Sequence, residues 1–338
     1  MTGRGALAGA GDFLGIGAVL ALIAIGFSIA APTFGTFSNA MAMLHDMGPM
    51  TLAACAVGFV ILAGKIDISV GSMAFLSASV GALVMEATGL HPIFDFAIIL
   101  AVGALLGAFN GFLVAVLKID ALIATLGTMI AFRGLGLVFT EARVVNLPEA
   151  ARSWGNTKLG PVFVDVILIA IVILAVHYIH KRTVFGRQVN AVGDNEVTAR
   201  QIGLPTQRTV FSVFVVSGLL SGLSAIASYN QVGSVSGFLG RGLEFDAIAA
   251  AVVGGISLSG GRGTIFPGIV LGAFAFQMIS NGLNQVGADP YVYQVVIGAL
   301  IFAAMYVDAL KRGRASFLSR LVRRDKPTPR AITKGAEP

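Results

Sequence analysis

The chain has 338 residues, 56% of them hydrophobic and 12% charged, with a formal net charge of +6. Soluble domains carry about 25% charged residues, so a mean hydropathy of +0.86 excludes a soluble globular protein. Continuous apolar runs exclude the alternating strands of a membrane β-barrel, which leaves an all-α integral membrane protein whose 43 glycines serve close helix packing.

Residues 1–12 read as a short cytoplasmic N-terminus, and Phe13–Ala31, with no cleavage site after it, as a retained first span rather than a signal peptide. Further apolar runs follow at Gly48–Ala63, Ser69–Thr88, Phe94–Leu117, Ala121–Thr140, Val162–Ile179, Val210–Tyr229, Phe245–Ser257, Thr264–Leu283 and Tyr291–Asp308. That makes about ten transmembrane helices, each judged against the roughly 20 residues needed to cross a bilayer. The eighth is too short to cross alone at about 1.5 Å per residue, so it is expected to be broken or re-entrant and covered by protein. Cys55, the only cysteine, lies inside the second run and supports neither a disulfide nor a Cys-based metal site.

Orientation follows from the basic residues. With the N-terminus inside, 18 of the 23 Lys and Arg fall on the inner face and four (Arg143, Arg152, Lys158, Arg241) on the outer, while Arg133 lies within a span. Both termini are then cytoplasmic. Residues 13–310 form the transmembrane domain, and the basic tail 311–338 is suited to anionic lipid; the positive charge needs no nucleic acid.

Several chemistries can be set aside. A phosphate loop needs four residues between its glycines and then Lys and a hydroxyl, whereas Gly58 and Gly64 are separated by five and Lys65 is followed by Ile66. The chain is therefore expected to bind no nucleotide and no other cofactor. His45, His91, His177 and His180 are scattered, giving no metal site, and no acid/base or nucleophile constellation points to an enzyme. An ion-coupled carrier would place a carboxylate near the bilayer centre, but Asp12, Asp67, Glu86, Asp165, Asp246 and Asp308 all fall near span ends.

Two glycine patterns predict packing. Gly103, Gly107 and Gly111 recur every four residues, as do the pairs Gly218/Gly222 and Gly268/Gly272, and each set should admit a neighbouring backbone. Gly64–Gly71 (GKIDISVG) and Gly254–Gly261 (GGISLSGG) share four of eight positions, which leaves both an internal duplication and chance open.

The polar stretch 180–209 is the one long hydrophilic interruption, and it carries Lys181, Arg182, Arg187, Arg200 and Arg208. Inside it, 195–205 reads as a short helix. Asp194 or Asn195 is placed to cap its N-terminus, Glu196, Ala199 and Arg200 lie within it, and Gly203, needing positive φ, and Pro205 end it. A short helix of this kind on the cytoplasmic face suits docking by a partner, with Ala199 small enough for close approach.

These blocks carry a resemblance. Gly64–Ser72, Asn110-Gly111, Lys118-Ile119, Leu122–Met129 with Arg133–Leu135, Phe185–Arg187 with Gly193 and Asn195-Glu196, Glu244–Ala250, Gly254–Thr264 and Asn281–Asn284 together resemble the permease subunit of an ATP-binding-cassette importer. The type is the ribose/xylose/galactose one, within the superfamily that also holds branched-chain amino acid permeases. The resemblance implies a bacterial inner-membrane permease acting as a homodimer or pair. It also implies a cytoplasmic ATPase subunit that hydrolyses the ATP and a periplasmic sugar-binding protein. Glu196, Ala199 and Gly203 match the family's ATPase-coupling motif. The chain departs from the family pattern at Val197 and Thr198, at Lys65 where Gly is usual, and at Asp120 where Pro is usual.

A monosaccharide or polyol is the expected cargo; branched-chain amino acids or nucleosides are the alternative, and an ion-coupled carrier a more distant one. Polar groups near apolar spans are costly and usually face a cavity or partner. On that ground Glu86, Arg133, Asn230, Gln231 and Asp246 are candidates for the transport path, joined by Asn110, Thr125 and Asn281 from the matching blocks.

Overall fold

A computed structural model describes residues 4–89, 91–148, 155–289, 291–300, 302, 303 and 306; the basic tail expected at 311–338 lies outside them. The chain is predominantly helical. Its elements are α1 (Arg4–Ala30), α2 (Phe37–Asp46), α3 (Gly48–Leu62), α4 (Val70–Thr88), α5 (Pro92–Gly111), α6 (Ala121–Phe139), α7 (Val164–Arg182), α8 (Val184–Asp194), α9 (Glu196–Gln201), α10 (Thr206–Val232), α11 (Leu243–Val253) and α12 (Val270–Gln285), followed by α13 (Tyr291–Leu300). Wide π-type turns extend α5 over Phe112–Val116 and precede α12 over Ile265–Ile269. Two-residue strands form two small antiparallel pairings, Val145–Asn146 with Ser234–Val235 and Lys158–Leu159 with Val162–Phe163.

Among the described residues, six helices are long and apolar enough to cross a membrane, or seven if the α2–α3 pair, bent by 45°, counts as one span. The second apolar run does not reach that length by itself: α3 is 15 residues, and it passes only together with α2, which the sequence pattern did not suggest. The eighth run is 11 residues of helix, too short to cross alone, as its length predicted. The first helix begins at Arg4, inside the stretch expected to be an extramembrane N-terminus.

At the centre stands α3. Every residue of it except Met50 is buried, which explains why it is apolar all round rather than on one face. Lipid tails offer helices no hydrophobic contrast, so their association depends on close packing. The glycine pattern supplies it. A Cβ at Gly103 would lie 2.5 Å from the Gly218 carbonyl oxygen, and one at Gly107 would lie 3.0 Å from the Gly218 Cα. The spaced glycines of α5 and α10 thus face each other across an intramolecular helix crossing. Gly268 and Gly272 pack in the same way on the backbone of Gly254 and Ala250. At the periphery α1 lies on α12, where Gly282 admits the Phe27 ring.

Candidate functional site

The chain breaks helix after α3 because Gly64 takes φ +72°, and six residues, Gly64–Ser69, pass before α4. This segment is tied to four helices by side-chain hydrogen bonds. Asp67 is fully buried and accepts from the Ser69 backbone N–H at 2.9 Å, the Ser69 hydroxyl at 2.6 Å and the Ser217 hydroxyl of α10 at 2.9 Å. Asn110 of α5 donates to the Ser69 Oγ at 2.8 Å. Thr125 of α6 accepts from the Ile68 N–H at 3.3 Å while donating to Ala121 O at 2.8 Å. Asp67 had seemed a span-end carboxylate from its sequence position; burial under α4, α5, α6 and α10 makes it a structural acceptor instead. The readable signal was a Gly followed by Asp-x-Ser between two apolar runs.

The second glycine-rich block meets the first in space. The Gly261 N–H donates to Leu62 O at 2.9 Å, and a Cβ at Gly260 would lie 2.8 Å from the Gly64 Cα. Each block follows a short buried helix, α3 or α11, and leads into a longer one, the arrangement an internal duplication would give.

Between them sits the corner where α8 ends. Gly193 is pressed on the Leu62 carbonyl, and a Cβ there would lie 2.6 Å from the Gly261 N. α9 starts directly beyond, because Asn195, extended at φ −164°, accepts from the Thr198 N–H at 2.9 Å. Asn195 rather than Asp194 is thus the cap, while Asp194 lies 4.0 Å from the exposed Arg262. Gly203 takes φ +82°, as expected for the residue that stops this helix. Asp120, in place of the usual Pro, caps α6 by accepting from Leu122 N–H at 3.0 Å.

Glu196 pairs with Lys65 at 2.9 Å and with Arg200 at 3.4 Å. The hydrogen bond from Lys65, and then the charges around it, hold the Glu196 carboxyl below the usual glutamate range. A depressed carboxyl stabilises the fold above its unfolded-state pKa and loses that contribution as pH falls through the folded-state value. The tie is accordingly intact at neutral pH. Ala199 is only 2% exposed and belongs to the chain's own apolar core. The expectation that Ala199 meets a partner is therefore corrected: the outward residues of α9 are Val197, Thr198, Arg200 and Gln201, with Ile202 beyond its end. Pro205, Arg200 and Arg208 line a polar hollow with Lys118, Thr206 and Gln207.

The residues expected along a transport path do not converge. Asn110 and Thr125 belong to the Asp67 network. Asn281 accepts from Asn39 at 2.9 Å and joins α12 to α2. Gln231 donates to His45 O at 2.7 Å and to Asp165 at 3.1 Å, beside buried Asn230. Glu86 lies on the exposed surface and pairs with Arg143 at 3.0 Å. Arg133 joins α6 to the loop before α11. It donates to Leu239 O at 2.6 Å, stands 4.9 Å from the Phe75 ring centroid, and so pins the loop that leads down to α11. Buried Glu244, near Asp246 in the first turn of α11, also lies at this point, where a Cβ at Gly71 would come within 2.5 Å of its Oε2. It was not singled out from the sequence, although an acid opening the one short apolar run was the available signal. Asp95, 1% exposed and accepting from the Tyr229 hydroxyl at 2.5 Å, was also missed.

Two substitutions probe these ties. Asp67→Ala leaves three buried donors without their acceptor, at about 1–3 kcal/mol for each group left unpaired, so the melting temperature should fall steeply; a change within error would remove Asp67 from the packing argument. Arg133→Ala should lower uptake more than it lowers melting temperature or assembly, and equal losses in all three would leave Arg133 a purely structural role.

Residues 39–305 match the family model described as "Branched-chain amino acid transport system / permease component". The chain is 37% identical to the probable ABC transporter permease protein YphD of Escherichia coli (strain K12), covering 91% of this chain and 92% of that one. It is 36% identical to the ribose import permease protein RbsC of the same strain, covering 87% and 92%. The autoinducer 2 import system permease protein LsrC of Enterobacter sp. (strain 638) is 36% identical, covering 88% and 87%. With a family model over most of its length, relatives above 30% identity and several apolar helices, this multi-pass inner-membrane chain belongs to the branched-chain amino acid transport system permease family and is the permease of an ATP-binding-cassette importer.

Proposed function

We propose that this permease moves a monosaccharide or related polyol from a periplasmic binding protein to the cytoplasm, driven by ATP hydrolysed on a separate cytoplasmic ATPase that docks on α9. The observation that carries the sugar reading is the similarity, over nearly nine-tenths of the chain, to the ribose import permease. Docking on α9 is supported by its form: a six-residue helix, separately capped, that shows Val197 and Ile202 at 68% and 69% exposure.

In this reading the coupling residues are Asp194, Asn195, Glu196, Ala199, Arg200, Gly203 and Pro205. Glu196 and Ala199 hold the helix to its own chain while the exposed edge meets the ATPase. The chain itself carries no cofactor and works beside a second permease copy. Residues 13–310 make up about ten transmembrane helices, one of them broken or re-entrant, with 180–209 and both termini cytoplasmic, as the distribution of Lys and Arg favours. The path candidates remain Glu86, Arg133, Asn230, Gln231 and Asp246, joined by Asn110, Thr125 and Asn281.

Alternating access asks that the loaded binding protein and ATP prefer different conformers, since a ligand shifts an equilibrium only by its differential affinity. The test is to titrate the partner binding protein with pentoses, hexoses, polyols, leucine and nucleosides. Binding of a sugar or polyol is expected, and binding of leucine or a nucleoside alone would replace the sugar reading. Reporter fusions after Thr209 should register cytoplasm and those near Asn156 and Ala288 periplasm; a periplasmic signal from the loop before Val210 would reverse the orientation.

A further inference from the structure

Resting on the reading that α9 docks the ATPase, we propose that the segment Gly64–Ser69 is the strut carrying α9's displacement into the membrane helices, with Lys65 the positioning residue that fastens it to α9.

One end of the segment is joined to the α8–α9 corner in two ways. Main chain meets main chain where Gly64, Gly193, Gly260 and Gly261 converge and the Gly261 N–H bonds Leu62 O at 2.9 Å. Gly64 meets only the backbone of Gly193, with no side chain between them to take up movement by changing rotamer, so a push on the corner passes directly to the end of α3. Contact repulsion cannot carry a pull. The Lys65–Glu196 ion pair can, since Glu196 is the first residue of α9 and Lys65 the second residue of the segment. Its members are 29% and 32% exposed, against 85% and 59% for Arg262 and Asp194 at 4.0 Å. Exposed, long ion pairs contribute little, so Lys65 and not Arg262 is the fastening.

The other end of the segment is anchored by Asp67 and Ser69 to Ser217 of α10 and Asn110 of α5, and by Ile68 to Thr125 of α6, all buried. Residues 64–69 thus link α9 to three membrane helices through a short run of main chain between the two sets of side-chain ties.

The experiment uses the assembled importer in lipid, with the native cysteine removed (Cys55→Ser) and spin labels at Thr198→Cys on α9 and Val138→Cys at the far end of α6. The label-to-label distance is measured without nucleotide and with ATP and vanadate. With Lys65 present the distance should stay constant between the two states, because α9 and α6 move as one body. Lys65→Gln should keep the ATPase bound and hydrolysing, while the distance now changes with nucleotide. Lys65→Arg, and the exchange of Lys65→Glu with Glu196→Lys, should restore the constant distance. A distance that varies with Lys65 present, or stays constant in Lys65→Gln, overturns the proposal. So does loss of the ATPase from Lys65→Gln, which would make the pair part of docking. Absence of the ATPase from the unsubstituted chain would instead remove the docking reading beneath it.

Discussion

Gly218→Val should abolish the folded permease. A Cβ at Gly218 would lie 2.8 Å from the Gly107 Cα and 2.9 Å from its N. These are main-chain atoms within a 20-residue helix, so no rotamer change can make room and the two helices must separate. Overpacking between side chains costs roughly 1–3 kcal/mol; a clash between two backbones should exceed that range. Separation also draws Ser217, the neighbouring residue, away from Asp67, leaving buried polar groups unpaired in an apolar setting. The expected result is little or no monodisperse protein after detergent extraction. Gly127→Val on α6, where a Cβ meets nothing within 4 Å, should stay within about 0.5 kcal/mol of the unsubstituted chain. Equal yield and melting temperature for both variants would show that the α5–α10 crossing is not what holds the bundle.

That crossing was legible in the sequence because period-four glycines have one economical use in a membrane, namely backbone approach. The short eighth run was legible for a similar reason, since length alone decides whether a helix can cross. Gly203 was legible from its place between a helical pattern and a proline. What the sequence hid were the relations between distant segments. Asp67 looked like a span-end acid because hydropathy records position along the chain and not depth in the protein, and its acceptor role depends on a hydroxyl 150 residues away. The meeting of Gly64 with Gly260 and Gly261 was hidden likewise, although the likeness of the two blocks was visible. α2 was missed because its apolar residues are interrupted by Ser38, Asn39, His45 and Asp46, and only its junction with α3 makes the pair long enough to count as one span. Ala199 was assigned to the wrong side of α9. In a six-residue helix with one small residue, size alone does not distinguish a position that faces a partner from one that faces the chain's own core.

The corrected orientation of α9 changes the docking test. Ala199→Trp would enlarge a side chain that is 2% exposed within the chain's own core, so failure there would report damage to the permease and say nothing of the partner. Val197 and Ile202 are the informative pair, exposed at 68% and 69% on the helix edge turned away from that core. Each would gain about 1.5–3 kcal/mol on being fully buried in a partner groove, and a carboxylate in its place would lose that and carry a desolvation cost as well. The double variant Val197→Asp/Ile202→Asp should then weaken ATPase binding at least 100-fold, at about 1.4 kcal/mol per factor of ten. Neither residue supports the permease's own packing, so its melting temperature should hold. The ATPase should be absent from the co-purified complex and uptake should cease. Retention of the ATPase at the unsubstituted level, with transport intact, would mean that the edge of α9 is not the docking surface, and the reading of 180–209 as the coupling loop would have to be abandoned.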